Sequence, residues 1–276
     1  MKIIFTCHTE YDLKNKFGPA QKNKQEEQSF NHIFSLIKFT ESLKVPITFS
    51  LMIGGAVGDN LLRFIKEKNI RIPNYCEKSI HYHAEIFDRL WKFDKHLTEK
   101  EIINYFKTFQ KTLGENPTSV VFGKWLINKE SLSVLRKLGI EIDGSGTGKI
   151  LGQKFIIKAP FYFSNILEIP VVCDGKDPVN PFSRLSNFFL IRKIIKEYHQ
   201  ENLILHIAFH SYDFFRFNRE AKIRLIKKII FRNILRLARK YNIEIVNLSE
   251  IKTTDFQSLD SLRFPFLSKV FRSIGH

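Results

Sequence analysis

The stretch Ser79-Ile80-His81-Tyr82-His83-Ala84-Glu85 places two histidines two residues apart. Residues two apart on a β-strand point to the same face of the sheet. If this stretch ends a strand, His81 and His83 project together, and their neutral imidazole nitrogens can hold one metal ion. The alternative is that they are two unrelated surface histidines, because His is also an ordinary polar residue.

Three further polar clusters follow short apolar runs that read as strands. In chain order they are His8-Thr9-Glu10-Tyr11-Asp12, Gly123-Lys124-Trp125 and His210-Ser211-Tyr212-Asp213. Helical patterns separate the strands. Thr98 and Glu101 form a predicted capping box, Gly114 ends that helix, and Asn128 caps the next one. Further helices are predicted over 29–43, 181–200 and 217–241, a hairpin over 155–163 and strands over 140–143 and 167–172.

Strands and helices alternate along the whole chain, which predicts parallel strands joined by helical crossovers. A closed α/β barrel is expected, with an open doubly wound sheet as the alternative. In either fold the site is built by loops after the carboxyl ends of the strands. The residues that would lie on this rim are His8, Glu10, Asp12, His83, Gly123, Asp143 and His210. His206, four residues before His210 and deeper on the same face, is expected to be a hydrogen-bonded core histidine.

The composition is that of a folded protein with a large core: 276 residues, 43% of them hydrophobic, including 27 Phe. No apolar run approaches the roughly 20 residues of a membrane span, and the amino-terminal run is too short for a signal peptide. The three cysteines are odd in number and widely spaced, which indicates a reducing compartment. These features predict a cytoplasmic protein.

The chain carries a formal net charge of +16, and residues 184–240 hold 14 basic against 4 acidic side chains. Such a surface attracts nucleic acid, anionic lipid or an anionic substrate, or it is a solvated helix face. No nucleic-acid-binding motif accompanies it, so nucleic acid is an unlikely partner. We divide the chain into a domain over 1–252 and a tail over 253–276. The tail mixes apolar and basic residues and is expected either to dock on an anionic membrane or to pack back on the barrel.

Five segments in order resemble the polysaccharide deacetylase superfamily (carbohydrate esterase family 4 type, or NodB-homology fold) over roughly residues 1–250. His81 and His83 resemble a contracted form of the pair of metal-binding histidines in that family. The other four segments are Thr6-Cys7-His8-Thr9-Glu10, the stretch from Phe122-Gly123-Lys124-Trp125 through Gly139 to Asp143-Gly144-Ser145, Leu167-Glu168-Ile169-Pro170, and Leu205-His206-Ile207-Ala208-Phe209-His210.

The resemblance implies a distorted (β/α) barrel of about seven parallel strands, a divalent metal that is usually zinc, and removal of N- or O-acetyl groups from sugars. The metal would be held by His81, His83 and an acid, Glu10 or Asp12. His8 or the acid left over would take the proton of the attacking water, and His210 would act as general acid. Candidate substrate contacts are Tyr82, Gly123, Lys124, Trp125 and Asp143.

Two positions depart from the family pattern. His8 stands where the family has its base Asp, so His8 is either a base or a third metal ligand. The usual Arg of the third motif is missing near Lys124. The sequence therefore leaves three functions open. The first is a metal-dependent deacetylase acting on a lipid-linked or nucleotide-linked precursor of a surface polysaccharide, located in the cytoplasm or at the inner face of the membrane. The second is a catalytically silent carbohydrate-binding or scaffold protein of such a pathway, and the third a basic nucleic-acid-binding protein.

Overall fold

The computed structural model describes residues 1–9, 22–53, 55–82, 97–123, 128–215 and 223–259, with the backbone alone for 22–26 and 55–60. The described residues form eleven strands, six helices and two 3₁₀ turns. The strands are β1 (Lys2–Thr9), β2 (Thr48–Ile53), β3 (Glu77–Tyr82), β4 (Ser119–Phe122), β5 (Ile142–Asp143), β6 (Phe161–Phe163), β7 (Ile166–Glu168), β8 (Cys173–Asp174), β9 (Asp177–Pro178), β10 (Ile204–His210) and β11 (Glu244–Val246). The helices are α1 (Lys22–Leu43), α2 (Gly55–Glu67), α3 (Glu99–Leu113), α4 (Lys129–Lys137), α5 (Leu185–Tyr198) and α6 (Leu225–Lys240), and the turns are Ser211–Phe214 and Leu248–Glu250.

One curled sheet organises the molecule, in the strand order β10-β1-β2-β3-β4-β5-β7-β6, with β11 also paired to β1. All neighbours from β10 to β7 are parallel, and only β6 is antiparallel. Seven parallel strands therefore lie along this path, each short and almost wholly buried, as expected when both sheet faces are covered. The predicted distorted (β/α) barrel of about seven parallel strands is confirmed.

His206 joins the two ends of this curled sheet. Its Nδ1 lies 2.9 Å from the carbonyl oxygen of Ile169, just past β7, and its own carbonyl accepts the Val172 N–H at 2.8 Å. On the other side of the ring, Nε2 is 2.8 Å from the Thr6 hydroxyl. Since a carbonyl only accepts, Nδ1 carries the hydrogen and Nε2 accepts from Thr6. Burial lowers the pKa of His206 to about 4, so the ring is neutral. The prediction of a hydrogen-bonded core histidine is confirmed.

Two apolar layers hold the sheet in place. The larger lies between the sheet and the helices and contains the large rings of Phe5, Phe49, Phe109, Phe182 and Phe231. The smaller fills the concave side of the sheet. It consists of Ile4, Val121, Ile142, Leu167, Ile169, Ile204, Val246, Leu248 and Ile251. Successive strand residues alternate between these two layers, so the register tells which side each polar side chain faces.

Helix caps agree with the sequence prediction. The Thr98 hydroxyl accepts the Glu101 N–H while the Glu101 carboxylate accepts the Thr98 N–H, which is the predicted capping box at the start of α3. Gly114 ends α3 with φ of 75°, a left-handed conformation that glycine adopts without strain. The Asn128 side chain accepts the Ser131 N–H and caps α4.

Some boundaries differ from the prediction. Helix α1 begins at Lys22 rather than at residue 29. The polar residues before residue 29 are mostly good helix formers, so the helix extends through them. They lack an apolar stripe, so the hydrophobic pattern did not predict this part of the helix. The predicted hairpin over 155–163 was wrong. The hairpin is β6–β7, and it turns at Ser164 and Asn165, both with positive φ, a pair that gives a weaker sequence signal than Asn-Gly.

The beginning of the predicted tail packs on the barrel. Leu259 is buried, donates its N–H to the Ile157 carbonyl at 2.7 Å and accepts two N–H groups in return. Gln257 donates its N–H to the Asn202 carbonyl. The part of the tail over 260–276 lies outside the described residues. Within the described ranges, no helix combines the length and the apolar character needed to cross a membrane.

Candidate functional site

Three histidines from three strands meet at the carboxyl end of the barrel. His8 on β1 and His210 on β10 are register partners, and their ring centroids lie 5.2 Å apart in an edge-to-face arrangement. The His81 ring on β3 stacks on the His8 ring at 4.6 Å. The register across β2 puts all three on one face, the concave side of the sheet. His8 and His81 are buried, whereas the His210 side chain is 30% exposed and forms the open side of this histidine cluster.

The His81 ring has a fixed orientation. Its Nδ1 lies 2.9 Å from the carbonyl oxygen of Val121 on the neighbouring strand β4. A carbonyl only accepts, so Nδ1 carries the hydrogen, and in the neutral ring Nε2 holds the lone pair. A backbone carbonyl that fixes the tautomer in this way is the usual partner of a metal-binding histidine.

His210 is positioned by the turn that follows it. Asp213 accepts the His210 backbone N–H at 2.8 Å, and its Oδ2 lies 3.6 Å from the His210 Nδ1. The Asn180 amide donates to the same oxygen at 2.6 Å, and the Tyr212 ring stacks on the imidazole at 4.7 Å. Burial acts to raise the pKa of Asp213, but the contacts with His210 and Asn180 outweigh it and lower that pKa, so Asp213 is an anion at neutral pH.

Of the predicted ligands, His81 is the one that lies among the described residues, and its Nδ1 contact with the Val121 carbonyl makes Nε2 the ring nitrogen with the lone pair. No group of three or more His, Cys, Asp or Glu side chains suited to a metal occurs among the described residues. The rest of the predicted set, His83, Glu10 and Asp12, lies outside those residues. His81 thus fits one position of a metal site, and the complete set stays a prediction. The predicted substrate contacts Lys124 and Trp125 also lie outside the described residues, and Gly123 directly follows β4 at the rim.

Tyr82 is not at the site. It neighbours His81 on β3 and therefore faces the opposite side of the sheet. Its side chain is 1% exposed, its hydroxyl donates to the Ile102 carbonyl of α3, and its ring packs near Tyr105 and Phe122. The predicted contact between Tyr82 and a sugar is corrected: this ring belongs to the layer between sheet and helices.

Asp143 also faces away from the histidine cluster. Its register partner on β4 is Val120, which points to the side opposite His81. Asp143 is completely buried, accepts the N–H and hydroxyl of Ser145, and lies opposite Glu168 on β7. Burial, and after it the neighbouring Asp143, raise the pKa of Glu168 well above its usual value, so this carboxyl keeps its proton to a higher pH than an exposed glutamate does. Asp143 therefore has no access to substrate, and the predicted substrate contact is wrong. Asp143 instead forms a buried carboxyl pair with Glu168.

The two residues that support His210, Asp213 and Asn180, were not assigned to that role from the sequence. Asp213 stands three residues after His210, the spacing at which a side chain caps the preceding backbone in a turn. That spacing is a readable signal. Asn180 comes from a loop 30 residues earlier, and nothing in the local sequence connects it to His210.

Comparisons with known proteins agree with the fold. No protein-family model and no curated protein sequence matches the chain. Among solved structures, one similar fold is a protein from Mycobacterium smegmatis assigned as a polysaccharide deacetylase, with a TM-score of 0.58 and 12% identity over 90% of this chain and 87% of that one. PuuE allantoinase matches with a TM-score of 0.58 and 11% identity over 89% of this chain and 86% of that chain. A GH57-type branching enzyme from Pyrococcus horikoshii matches with a TM-score of 0.56 and 13% identity over 94% of this chain and 72% of that one.

At these identities the likeness shows the fold, not the reaction. The chain has the distorted α/β barrel of polysaccharide deacetylases, a fold that also occurs in other carbohydrate-active enzymes. Because one fold hosts several activities, function has to be argued from the histidine cluster.

Proposed function

We propose that the chain is a metal-dependent carbohydrate deacetylase that hydrolyses an N- or O-acetyl group on a precursor of a surface polysaccharide. The observation that carries the proposal is the histidine cluster at the carboxyl ends of β1, β3 and β10, with Asp213 behind His210. Active sites in α/β barrels lie at this end of the strands.

In this proposal the metal is held by His81, His83 and one acid, Glu10 or Asp12. Two imidazoles and a carboxylate are a common ligand set of catalytic zinc, and the carbonyl contact of His81 supports its part in that set. A divalent metal bound there would lower the pKa of a water and polarise the acetyl carbonyl.

The chain's own groups would move the protons. His210 is the most exposed member of the histidine cluster, so it can reach a leaving amine or alkoxide and protonate it. Asp213 holds the His210 ring in place and stabilises its protonated form. His8, whose ring stacks on the His81 ring with 4.6 Å between centroids, or the acid that does not bind the metal, would take the proton of the attacking water.

One observation favours the alternative of a catalytically silent carbohydrate-binding protein. His8 occupies the position of the family's base Asp, and its ring is 3% exposed and stacked against His81. Without a carboxylate in that place, the attacking water lacks the anionic base of the family. Loss of hydrolysis with retained sugar binding would be the result.

The location proposed for the protein is the cytoplasm. Its three cysteines are buried and form no disulfide with one another, and burial raises the pKa of the Cys76 thiol to about 11 and of the Cys173 thiol to about 12. Such thiols are protonated and unreactive at neutral pH. They are consistent with a reducing compartment.

The experiment combines metal analysis with acetate release. Wild-type protein is expected to hold about one equivalent of divalent metal and to release acetate from N-acetylated chito-oligosaccharide or from O-acetylated xylan. The double variant His81→Ala with His83→Ala should lose both the metal and the activity. Full metal occupancy in that variant would place the metal elsewhere. A metal-loaded wild type that binds the sugar without releasing acetate would support the silent protein instead.

A further inference from the structure

Helices α5 and α6 expose apolar side chains, all of them within the first five residues of each helix. On α5 these are Leu185 and Phe189, and on α6 they are Leu225, Ile226 and Ile229. Leu225 is 71% exposed and Leu185 54%, and exposed apolar residues that cluster mark an interaction surface, whereas single scattered ones do not. We call these five residues the apolar end.

The exposed face of both helices beyond the apolar end is basic. The charged residues there are Arg192, Lys193 and Lys196 on α5 and Arg232, Arg236, Arg239 and Lys240 on α6, all exposed. Glu197 is the single acid in the two helices, and it lies 3.9 Å from Lys193. Arg192 and Arg232 each lie seven residues, about 10 Å, from the first residue of their helix.

The apolar end lies beside the histidine cluster. Arg224, just before α6, donates its N–H to the Phe214 carbonyl in the turn that follows His210. Lys227 of α6 donates to the Phe182 carbonyl just before α5, which links the starts of the two helices. Asn180, in the same loop as Phe182, donates to Asp213.

We infer that the apolar end and the basic face of α5 and α6 dock the protein on an anionic lipid bilayer. Apolar side chains flanked by Lys and Arg on one surface are what an interfacial segment presents to a membrane. Arg192 and Arg232 lie about 10 Å along their helices from the apolar end. They would therefore be at the headgroups when the apolar end is in the acyl boundary of the bilayer. At the headgroups the two guanidinium groups lie within the Debye length of roughly 8 Å from the anionic lipids, so their attraction is not screened away.

Charge decides between this partner and two others. A symmetric contact between two copies would set the same basic face against itself, which is repulsive. A nucleic acid would satisfy the Lys and Arg residues but leave Leu225 and Leu185 without an apolar partner. An anionic bilayer complements both parts. Docking there would bring His210 to the membrane surface, where a lipid-linked sugar presents its acetyl group.

The test is co-sedimentation of the full-length chain with vesicles of phosphatidylcholine containing 30% phosphatidylserine. Wild-type protein should bind these vesicles and bind pure phosphatidylcholine far less, with binding weakened by salt. The variant Leu225→Ser with Ile229→Ser should bind at least about tenfold more weakly. The variant Arg192→Glu with Arg232→Glu should lose about 30-fold or more. Melting temperatures should be unchanged, because all four side chains are exposed.

The matched control is Lys107→Glu with Lys111→Glu. Both residues are exposed on α3, which packs against α2 and α4, and the change in net charge is the same. This control should bind like wild type. An equal loss in the control would mean non-specific attraction and would overturn the inference. So would a stable dimer that the Leu225→Ser and Ile229→Ser changes dissociate. Because no readout depends on acetate release, failure here leaves the proposed deacetylase untouched.

Discussion

Glu77 should be the most sensitive single position for stability. It lies at the start of β3, at the end of the barrel opposite the histidine cluster, and is 8% exposed. Its carboxylate accepts four hydrogen bonds, two at each oxygen. The donors are the hydroxyls of Thr48, Thr118 and Ser119, at 2.8, 2.8 and 2.6 Å, and the N–H of Ser249 at 3.0 Å. One side chain thus ties β2, β3, β4 and the turn at Leu248–Glu250 together.

The expected cost of Glu77→Ala follows from these contacts. A hydrogen bond to a charged group contributes about 1.5–3 kcal/mol, and a buried donor left without an acceptor costs a similar amount. Four such losses do not add in full, because the hydroxyl donors can rotate toward other acceptors or water. We therefore expect the free energy of unfolding to fall by about 4 kcal/mol, near the upper end for a single substitution.

Urea unfolding followed by circular dichroism measures this change. Glu77→Gln keeps the shape and one carbonyl acceptor, so it should cost clearly less than Glu77→Ala. Glu115→Ala is the control: Glu115 forms a partly exposed ion pair with Lys78, and its loss should cost less than about 1 kcal/mol. If Glu77→Ala costs no more than Glu115→Ala, the four hydrogen bonds do not hold this end of the barrel together.

Three further predictions concern buried and site residues. The folded state keeps a proton on Glu168 that the unfolded chain releases above about pH 4.5. The free energy of unfolding should therefore fall as pH rises toward the raised pKa, by up to about 1.4 kcal/mol per pH unit. Glu168→Gln should flatten that slope in urea titrations at pH 5 to 8. Asp213→Asn should lower turnover about 10- to 100-fold with metal content unchanged, since only the support of His210 is lost, and wild-type turnover would exclude that role. His206→Ala should cost about 2–4 kcal/mol in urea unfolding, because its two ring hydrogen bonds are lost, and a change below 1 kcal/mol would show that it does not join the sheet ends.

The fold was predictable because its signals are local. Alternating strands and helices, the Thr98 capping box and the Gly114 stop are each encoded within a few residues, and the structure has them in place. The hairpin at Ser164 and Asn165 was misplaced because its turn depends on two residues that adopt positive φ without being glycine.

The site was predictable only in part. His8, His81 and His210 were expected at strand ends, and they meet because the carboxyl ends of parallel strands converge. Tyr82 and Asp143 were assigned to substrate by their nearness in sequence to the motifs. Each faces the other side of the sheet, since a shift of one residue along a strand reverses the direction of the side chain. The contact of Asn180 with Asp213 depends on tertiary structure that no local pattern records.

The most direct test of the central claim is acetate release by His210→Ala with metal content measured on the same sample. His210 lies at the open side of the histidine cluster beside Asp213, and His81 is untouched by the change. The proposed mechanism predicts that the variant keeps its metal and stays folded, with a small drop in melting temperature from the lost contact with Asp213, while turnover of an acetylated sugar falls by about 10²–10⁴-fold. Wild-type turnover in His210→Ala would contradict it.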